Sequence, residues 1–122
     1  MIGPLAGRRI LVVEDETLIA CHIESVLTGS GCEIVGPVSK LEMALQIARV
    51  ETFDAAILDV NIRGGRVYPV AEVLLARGVP FLLASGYGDW ALPETFRGKP
   101  RLTKPFSSED VLDAVRAICP PR

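Results

Sequence analysis

The sequence predicts an α/β domain built on a doubly wound, five-stranded parallel sheet with helices on both faces. Short apolar runs alternate with segments of helical periodicity about five times along the 122 residues. The central apolar run, Ala55-Ala56-Ile57-Leu58, has no polar alternation, which indicates a strand buried on both faces. Because crossovers between parallel strands are right-handed, a doubly wound sheet satisfies this pattern best.

The predicted strands cover residues 8–13, 33–38, 55–59, 80–84 and 101–103. Pro37 lacks an amide donor and therefore predicts an edge position for the second strand. Helices are expected after the first, second, third and fifth strands, with Thr17, Ser39 and Ser107 or Ser108 as N-caps. Proline and glycine interrupt residues 89–100, so the fourth helix is predicted to be short or poorly ordered.

The chain length predicts a single domain. Residues 1–7, with Gly3-Pro4 and Gly7, are expected to form a flexible N-terminal lead. The folded domain is assigned to residues 8–119, and residues 120–122 form a C-terminal tail beginning at Pro120-Pro121.

Composition excludes several classes of function. The net charge is −2 and the sequence pI is about 5.4, which argues against a domain built to bind phosphate backbones. No apolar run approaches the roughly 20 residues of a membrane span, and the start lacks the basic and apolar regions of a secretory signal. Three cysteines without metal-site spacing suit a reducing compartment, so a cytoplasmic location is expected.

Polar side chains stand where four of the predicted strands end. Glu14-Asp15 follow the first strand, Asp59 ends the third, Ser85 follows the fourth and Lys104 follows the fifth. The carboxyl ends of parallel strands share one edge of the sheet, where ligands bind in such folds. Three carboxylates within about 5 Å repel by roughly 3 kcal/mol per pair, so the cluster needs a cation, and oxygen ligands favour Mg²⁺.

Each of these residues has a simpler explanation when taken alone, because acidic residues at strand ends commonly form solvated turns. Their joint placement on four strand ends is much less readily accidental. The set Val13-Glu14-Asp15, Leu58-Asp59-Val60-Asn61, Ala84-Ser85-Gly86 and Thr103-Lys104-Pro105-Phe106 resembles the receiver domain of two-component response regulators. The resemblance covers the chain from residue 8 to 119 and implies a flavodoxin-like sheet with strand order 2-1-3-4-5.

The resemblance also implies a function and a metal site. Asp59 would accept a phosphoryl group from a phosphohistidine on a sensor histidine kinase. Asp15, Asp59 and the backbone carbonyl of Asn61 would bind Mg²⁺ directly, and Glu14 would act through water. Glu14 stands where the family usually has an aspartate.

Two further residues complete the implied phosphoryl site. Lys104, aimed by a cis Lys104-Pro105 bond, would pair with one phosphoryl oxygen, and the Ser85 hydroxyl would bind another. Beyond its own phosphorylation and dephosphorylation, the chain is not expected to be an enzyme.

The fourth strand and the turn after it resemble the Phe-Ala-Thr-Gly-Tyr motif of a single-domain receiver subfamily, with Leu83 in place of the phenylalanine. This subfamily is known mainly from alphaproteobacteria and is often paired with kinases of the HWE or related type. Arg101 occupies the position where chemotaxis-type receivers carry an aromatic switch residue. The switch candidates are therefore Gly86, Tyr87, Gly88 and Arg101.

Several alternatives and partners accompany this interpretation. Output is expected through an unknown protein rather than through DNA or a membrane, from a monomer or a phosphorylation-dependent dimer. Trp90 is either a surface residue or an anchor for a partner, and His22 is expected to be structural.

A pseudo-receiver that only binds protein is the first alternative. A Mg²⁺-dependent phosphatase with an Asp nucleophile is the second, disfavoured because position 17 is Thr rather than the second Asp of such enzymes.

Overall fold

A computed structural model of the chain describes residues 3–86 and 92–119. Its main sheet contains five parallel strands, which are β1 (Arg9–Val13), β2 (Glu33–Val38), β3 (Ala55–Asp59), β6 (Phe81–Ser85) and β7 (Arg101–Thr103). They lie side by side in the order β2-β1-β3-β6-β7. The predicted fold class and strand order 2-1-3-4-5 are thus confirmed, with β2 at an edge as Pro37 indicated.

Within the described residues, four α-helices cover the two faces of the sheet. They are α1 (Thr17–Gly29), α2 (Leu41–Val50), α3 (Tyr68–Arg77) and α4 (Ser108–Ile118). The core has two layers, one on each face of the sheet, and successive residues of β1 pack in opposite layers. Leu11 packs in the layer of α2 and α3, and Ile10 packs in the layer of α1 and α4. All five residues of β3 and of β6 are buried, as continuous apolar runs require in a doubly covered sheet.

The segment between β6 and β7 holds one turn of 3₁₀ helix, Glu94–Phe96, within its described residues 92–100. Phe96 is buried, stacks on Tyr68 with ring centroids 5.5 Å apart, and meets Phe81 edge-on at 6.3 Å. These contacts attach the segment to the core in the part that the structure covers. Tyr87, Gly88 and Trp90, singled out in the sequence, lie outside the described residues.

A small antiparallel hairpin, β4 (Asn61–Ile62) and β5 (Gly65–Arg66), occupies the loop predicted after Asp59. Ile62 pairs with Gly65, so Arg63 and Gly64 form a two-residue turn. Gly64 has φ +101°, a conformation that favours glycine. Leu41 packs over Gly64 and Gly65 and so supports the hairpin from the start of α2.

Only one of the predicted N-caps forms. Ser107 accepts a hydrogen bond from the Asp110 amide, and the Asp110 carboxylate accepts one from the Ser107 amide, which makes a capping box. Helix α1 already begins at Thr17, and the residue before α2 is Lys40 rather than Ser39. Neither of those helices has a side-chain cap, so those two predictions were wrong.

Packing of the domain begins before residue 8. Leu5, within the predicted flexible lead, is 2% exposed and packs in the layer of α1 and α4. The Gly7 amide also donates to the Gly31 carbonyl at 2.8 Å. Among the described residues, no helix combines the length and the apolar character needed to cross a membrane.

We expect Gly36→Ala to lower the free energy of unfolding by about 2 kcal/mol or more. Gly36 has φ +99°, and an added Cβ would lie 2.8 Å from the Val38 nitrogen and 2.9 Å from the Val12 carbonyl oxygen. Gly98→Ala is the matched control, because a Cβ added there would meet nothing within 4 Å and the φ of Gly98 is not positive. Urea denaturation measures both, and equal losses in the two variants would contradict the prediction.

Candidate functional site

The ends of four parallel strands bring the predicted polar residues to one edge of the sheet. β1 ends at Val13, directly before Glu14, and β3 ends on Asp59 itself. Ser85 closes β6 and pairs with Thr103 of β7, and the Lys104 amide donates to the Ser85 carbonyl at 2.8 Å. The topology therefore assembles residues from four separate parts of the sequence in one place, as predicted.

Three carboxylates form the centre of this site. One oxygen each from Glu14, Asp15 and Asp59 lies within 4.8 Å of the others. Glu14 is 3% exposed and Asp59 is 4% exposed, while Asp15 is half-buried. The spacing is close to the distance at which unscreened carboxylates repel by several kcal/mol, so this edge of the sheet carries a concentrated negative charge.

Lys104 supplies the positive charge that the chain itself provides. Its Nζ lies 3.0 Å from Glu14 Oε1 and 3.3 Å from Asp59 Oδ2. The Lys104-Pro105 bond is cis, in agreement with what the resemblance implied. Lys104 thus links the first and third strand ends, and its ion pair with Glu14 is an interaction that the sequence did not indicate.

The raised pKa of Asp59 shows that Lys104 compensates the negative charge of the cluster only in part. Burial raises the pKa of Asp59 to about 8, and the hydrogen bond and negative charge of Glu14 act in the same direction. Lys104 and the Asn61 amide, which donates to Asp59 Oδ1 at 3.3 Å, oppose the rise. Burial lowers the pKa of Lys104, but its contacts with Glu14 and Asp59 raise the pKa above the usual value.

The donor set fits a hard divalent cation. One ammonium group faces three carboxylates, two of them buried, so the site carries negative charge that Lys104 alone does not neutralise. Carboxylate oxygens are the ligands that Mg²⁺ prefers. Asp15 and Asp59 offer such oxygens, and Glu14 offers another with its Oε2, which accepts from the Glu16 amide at 3.1 Å.

The remaining predicted residues have different placements. Ser85 is 1% exposed and lies beside Ala84, the sheet partner of Asp59. Gly86 follows it as the last described residue before the gap. Arg101 begins β7, and its Nη2 donates to the Arg97 carbonyl at 2.9 Å, toward the segment before the strand. The roles of Ser85, Gly86 and Arg101, and of the Asn61 carbonyl, stay predictions.

Sequence reasoning missed one neighbour of the site. Lys40, which directly precedes α2, pairs with Arg63 of the hairpin in a parallel bridge. No motif marks Lys40, since it lies between a predicted strand and a predicted helix. Its place beside the hairpin follows from the packing of α2 against residues 61–66. His22 contacts Ser108 through Nε2 at 3.1 Å and stacks on Phe106, which fits the structural role expected for it.

A five-stranded parallel sheet of order 2-1-3-4-5, with an acidic cluster and a lysine at its carboxyl edge, is the architecture of receiver domains. SdrG from Sphingomonas melonis Fr1 is 43% identical, with a TM-score of 0.80, and the match covers 93% of this chain and 96% of that one. A BeF3-activated conformation of SdrG matches at 44% identity and a TM-score of 0.75, covering 92% and 96%. A putative response regulator from Chloroflexus aurantiacus J-10-fl is 27% identical, with a TM-score of 0.79, covering 91% and 96%.

The transcriptional regulatory protein PdtaR of Mycobacterium tuberculosis is 30% identical over 112 residues, covering 88% of this chain and 55% of that protein. The chain spans about half the length of the curated relatives it matches. No protein-family model matches it. The similarity to SdrG over nearly the whole of both chains, together with the regulators above, shows that the chain belongs to the receiver-domain family of two-component response regulators.

One further structure shares the fold. The receiver domain of the sensor histidine kinase PA1611 from Pseudomonas aeruginosa PAO1 is 22% identical, with a TM-score of 0.75, covering 93% of this chain and 98% of that one. It was solved with a magnesium ion coordinated in its active-site cleft. At this identity the similarity supports the architecture of the domain.

We expect the free energy of unfolding in metal-free buffer to fall as the pH rises between about pH 5 and pH 8. The pKa of Asp59 is about 8 in the folded protein, above its value near 3.9 in an unfolded chain. Its contribution to stability is therefore fully present below the unfolded pKa and is lost as the pH rises through the folded pKa.

Asp59→Asn should be more stable than the parent above about pH 7 and should show a smaller pH dependence in this range. Asp113→Asn is the control, because this carboxylate is 77% exposed. Urea titrations with a chelator present, at several pH values, measure the effect. A parent protein whose stability rises with pH in this range would contradict the assignment.

Proposed function

We propose that this chain is a phosphoacceptor receiver that takes a phosphoryl group on Asp59 from a sensor histidine kinase in a Mg²⁺-dependent reaction. One observation carries the proposal: the buried Asp59 carboxylate has oxygens of Glu14 and Asp15 within 4.8 Å and the Lys104 ammonium 3.3 Å away. A carboxylate placed between metal-binding acids and a fixed ammonium group is arranged for phosphoryl transfer rather than for a solvated turn.

The transfer step has a simple balance of atoms. An Asp59 oxygen attacks the phosphorus of the donor in line with the bond that breaks, and a new oxygen–phosphorus bond forms as an acyl phosphate. The donor's bond to phosphorus breaks and its electron pair leaves with the donor, an imidazole in the case of phosphohistidine. A proton from solvent completes the leaving group. Asp59 must be deprotonated to attack. Because its pKa is raised, groups that stabilise the ionised carboxylate favour the reaction.

Asp15, Asp59, the backbone carbonyl of Asn61 and, through water, Glu14 are the proposed residues that hold Mg²⁺. When bound, the ion supplies positive charge to the carboxylates and to the phosphoryl oxygens. The protein would contribute three carboxylate oxygens that lie within 4.8 Å of one another. The magnesium ion in the PA1611 receiver domain supports the same choice of metal.

Lys104 and Ser85 are proposed to bind the phosphoryl oxygens. The Lys104 ammonium lies 3.3 Å from the Asp59 carboxylate. When Asp59 carries a phosphoryl group, the same ammonium can bind a phosphoryl oxygen instead. The Ser85 hydroxyl lies at the end of the neighbouring strand, directly after the residue that pairs with Asp59. Because both groups are fixed by the fold before reaction, little reorganisation is needed at the transition state.

The signal is proposed to leave through protein contacts. The Phe-Ala-Thr-Gly-Tyr-like segment that ends at Tyr87 supports a kinase of the HWE or related type, and Gly86, Tyr87, Gly88 and Arg101 are the proposed switch residues. The BeF3-activated conformation described for SdrG supports activation at the acceptor. We also propose that the chain acts in the cytoplasm, catalyses no reaction beyond its own phosphorylation and dephosphorylation, and works as a monomer or a phosphorylation-dependent dimer. No observation favours the pseudo-receiver or phosphatase alternatives.

Incubation with Mg²⁺ and acetyl phosphate should add a single phosphoryl group to the parent protein, seen by intact mass spectrometry. Asp59→Asn should show no adduct, because it lacks the nucleophilic oxygen. Asp113→Asn should behave as the parent, since it removes an exposed acid on α4. Labelling of the parent without Mg²⁺ to the same extent, or no labelling with it, would contradict the proposal.

Lys104→Met should slow phosphorylation by about 10²-fold or more, because it removes a preorganised charge at the reacting group. The same variant should bind Mg²⁺ at least as tightly as the parent in isothermal titration calorimetry, since the carboxylates lose their internal counter-ion. Lys99→Met is the matched control, because it removes a lysine far from the site. The Lys99 ammonium lies 5.7 Å from the centroid of the Phe81 ring. Phe81 is the first residue of β6, whereas the site is at the other end of that strand. A parallel loss of Mg²⁺ binding and phosphorylation would show that Lys104 only supports the fold of the site.

A further inference from the structure

Three cations are held on an ordered part of the backbone beside the acceptor. Lys40 pairs with Arg63 in a parallel bridge, and the Leu41 amide donates to the Arg63 carbonyl at 2.8 Å. Arg66 pairs with Asn61 across the β4–β5 hairpin. The side chains of Lys40, Arg63 and Arg66 are all exposed. The pairing of the hairpin with the residue before α2 therefore keeps the backbone positions of the three residues close together.

The hairpin that carries Arg63 and Arg66 is connected directly to β3, the strand that ends at Asp59. The hairpin begins at Asn61, two residues after Asp59, and the Val67 amide donates to the Val60 carbonyl at 2.9 Å where the chain returns. Both ends of the hairpin therefore meet at the residue that follows Asp59. The positive charges stand at the same edge of the sheet as the buried carboxylates.

Among the described residues, none of the three side chains forms an ion pair with an acid. Within residues 3–86 and 92–119, the ion pairs involve Arg8, Arg9, Lys104 and Arg116, and none involves Lys40, Arg63 or Arg66. The net charge of the whole chain is −2, so the hairpin is positive against a negative background. A positive surface of this kind raises the local concentration of anions and their rate of association.

We propose that Lys40, Arg63 and Arg66 form a cationic entrance that attracts the anionic phosphodonor and guides its phosphoryl group to Asp59. This inference rests on the proposed function, since it concerns the substrate of the same site. A phosphoryl donor carries negative charge and must approach a chain whose net charge is −2, which repels it at long range. Exposed cations beside the entrance offset that repulsion without entering the reaction. They act on the rate of encounter rather than on the transfer step.

Two small donors separate the sources of the phosphoryl group. Acetyl phosphate is a dianion at neutral pH with an oxygen–phosphorus bond, whereas phosphoramidate is a monoanion with the nitrogen–phosphorus bond of a phosphohistidine. The test variant is Arg63→Gln/Arg66→Gln. The matched control is Arg49→Gln/Arg116→Gln, which removes the same charge from exposed sites at the carboxyl ends of α2 and α4. Phosphorylation rates are measured with Mg²⁺ between about 0.01 M and 0.3 M salt, where the screening length falls from roughly 30 Å to under 10 Å.

At low salt we expect the Arg63→Gln/Arg66→Gln variant to react with acetyl phosphate about threefold to tenfold more slowly than the control, and the two to converge at high salt. The difference with phosphoramidate should be smaller, because the donor carries less charge. If the two variants react at equal rates at low salt while the parent is phosphorylated, the proposed cationic entrance is contradicted and the proposed function is not. A parent that neither donor phosphorylates would overturn the proposed function.

Discussion

The mutual repulsion of Glu14, Asp15 and Asp59 is the constraint on which the rest of the site depends. Their oxygens lie within 4.8 Å of one another, and two of the side chains are almost completely buried. Such a cluster is stable only where positive charge or protons compensate it. The chain supplies one ammonium group and raises the pKa of Asp59 to about 8. The shortfall in positive charge is what makes the site suited to a divalent cation.

The sheet makes this arrangement possible because its strands are parallel and covered on both faces. The helices α1 and α4 on one side, and α2 and α3 on the other, bury β3 over its whole length. The free energy of that burial holds Asp59 at the strand end, where its carboxylate loses most of its hydration. Fold stability and acceptor chemistry are thus opposed at this residue, as expected for a functional site that retains buried charge.

Charge also organises the surroundings of the site. Lys104 lies inside it and touches two carboxylates, whereas Lys40, Arg63 and Arg66 stay exposed on the neighbouring hairpin. Screening by salt affects the exposed charges far more than the buried pair. Under the proposed function the two sets serve separate steps: the exposed cations act on encounter, and the partly buried Lys104 acts at the phosphoryl group.

Local sequence patterns were enough to predict the α/β class, the order of the elements and the polar residues at the strand ends, because apolar runs and their period are local properties of the chain. Ser107 and Ser108 were both predicted as caps of the last helix, and the structure has Ser107 in that role, in a capping box with Asp110. Three features arise from long-range packing and could not be predicted: the ion pair of Lys104 with Glu14, the hairpin after Asp59 and the approach of Lys40 to Arg63. Those contacts join residues far apart in the chain or depend on the packing of α2 over glycines, and no local pattern encodes such distances.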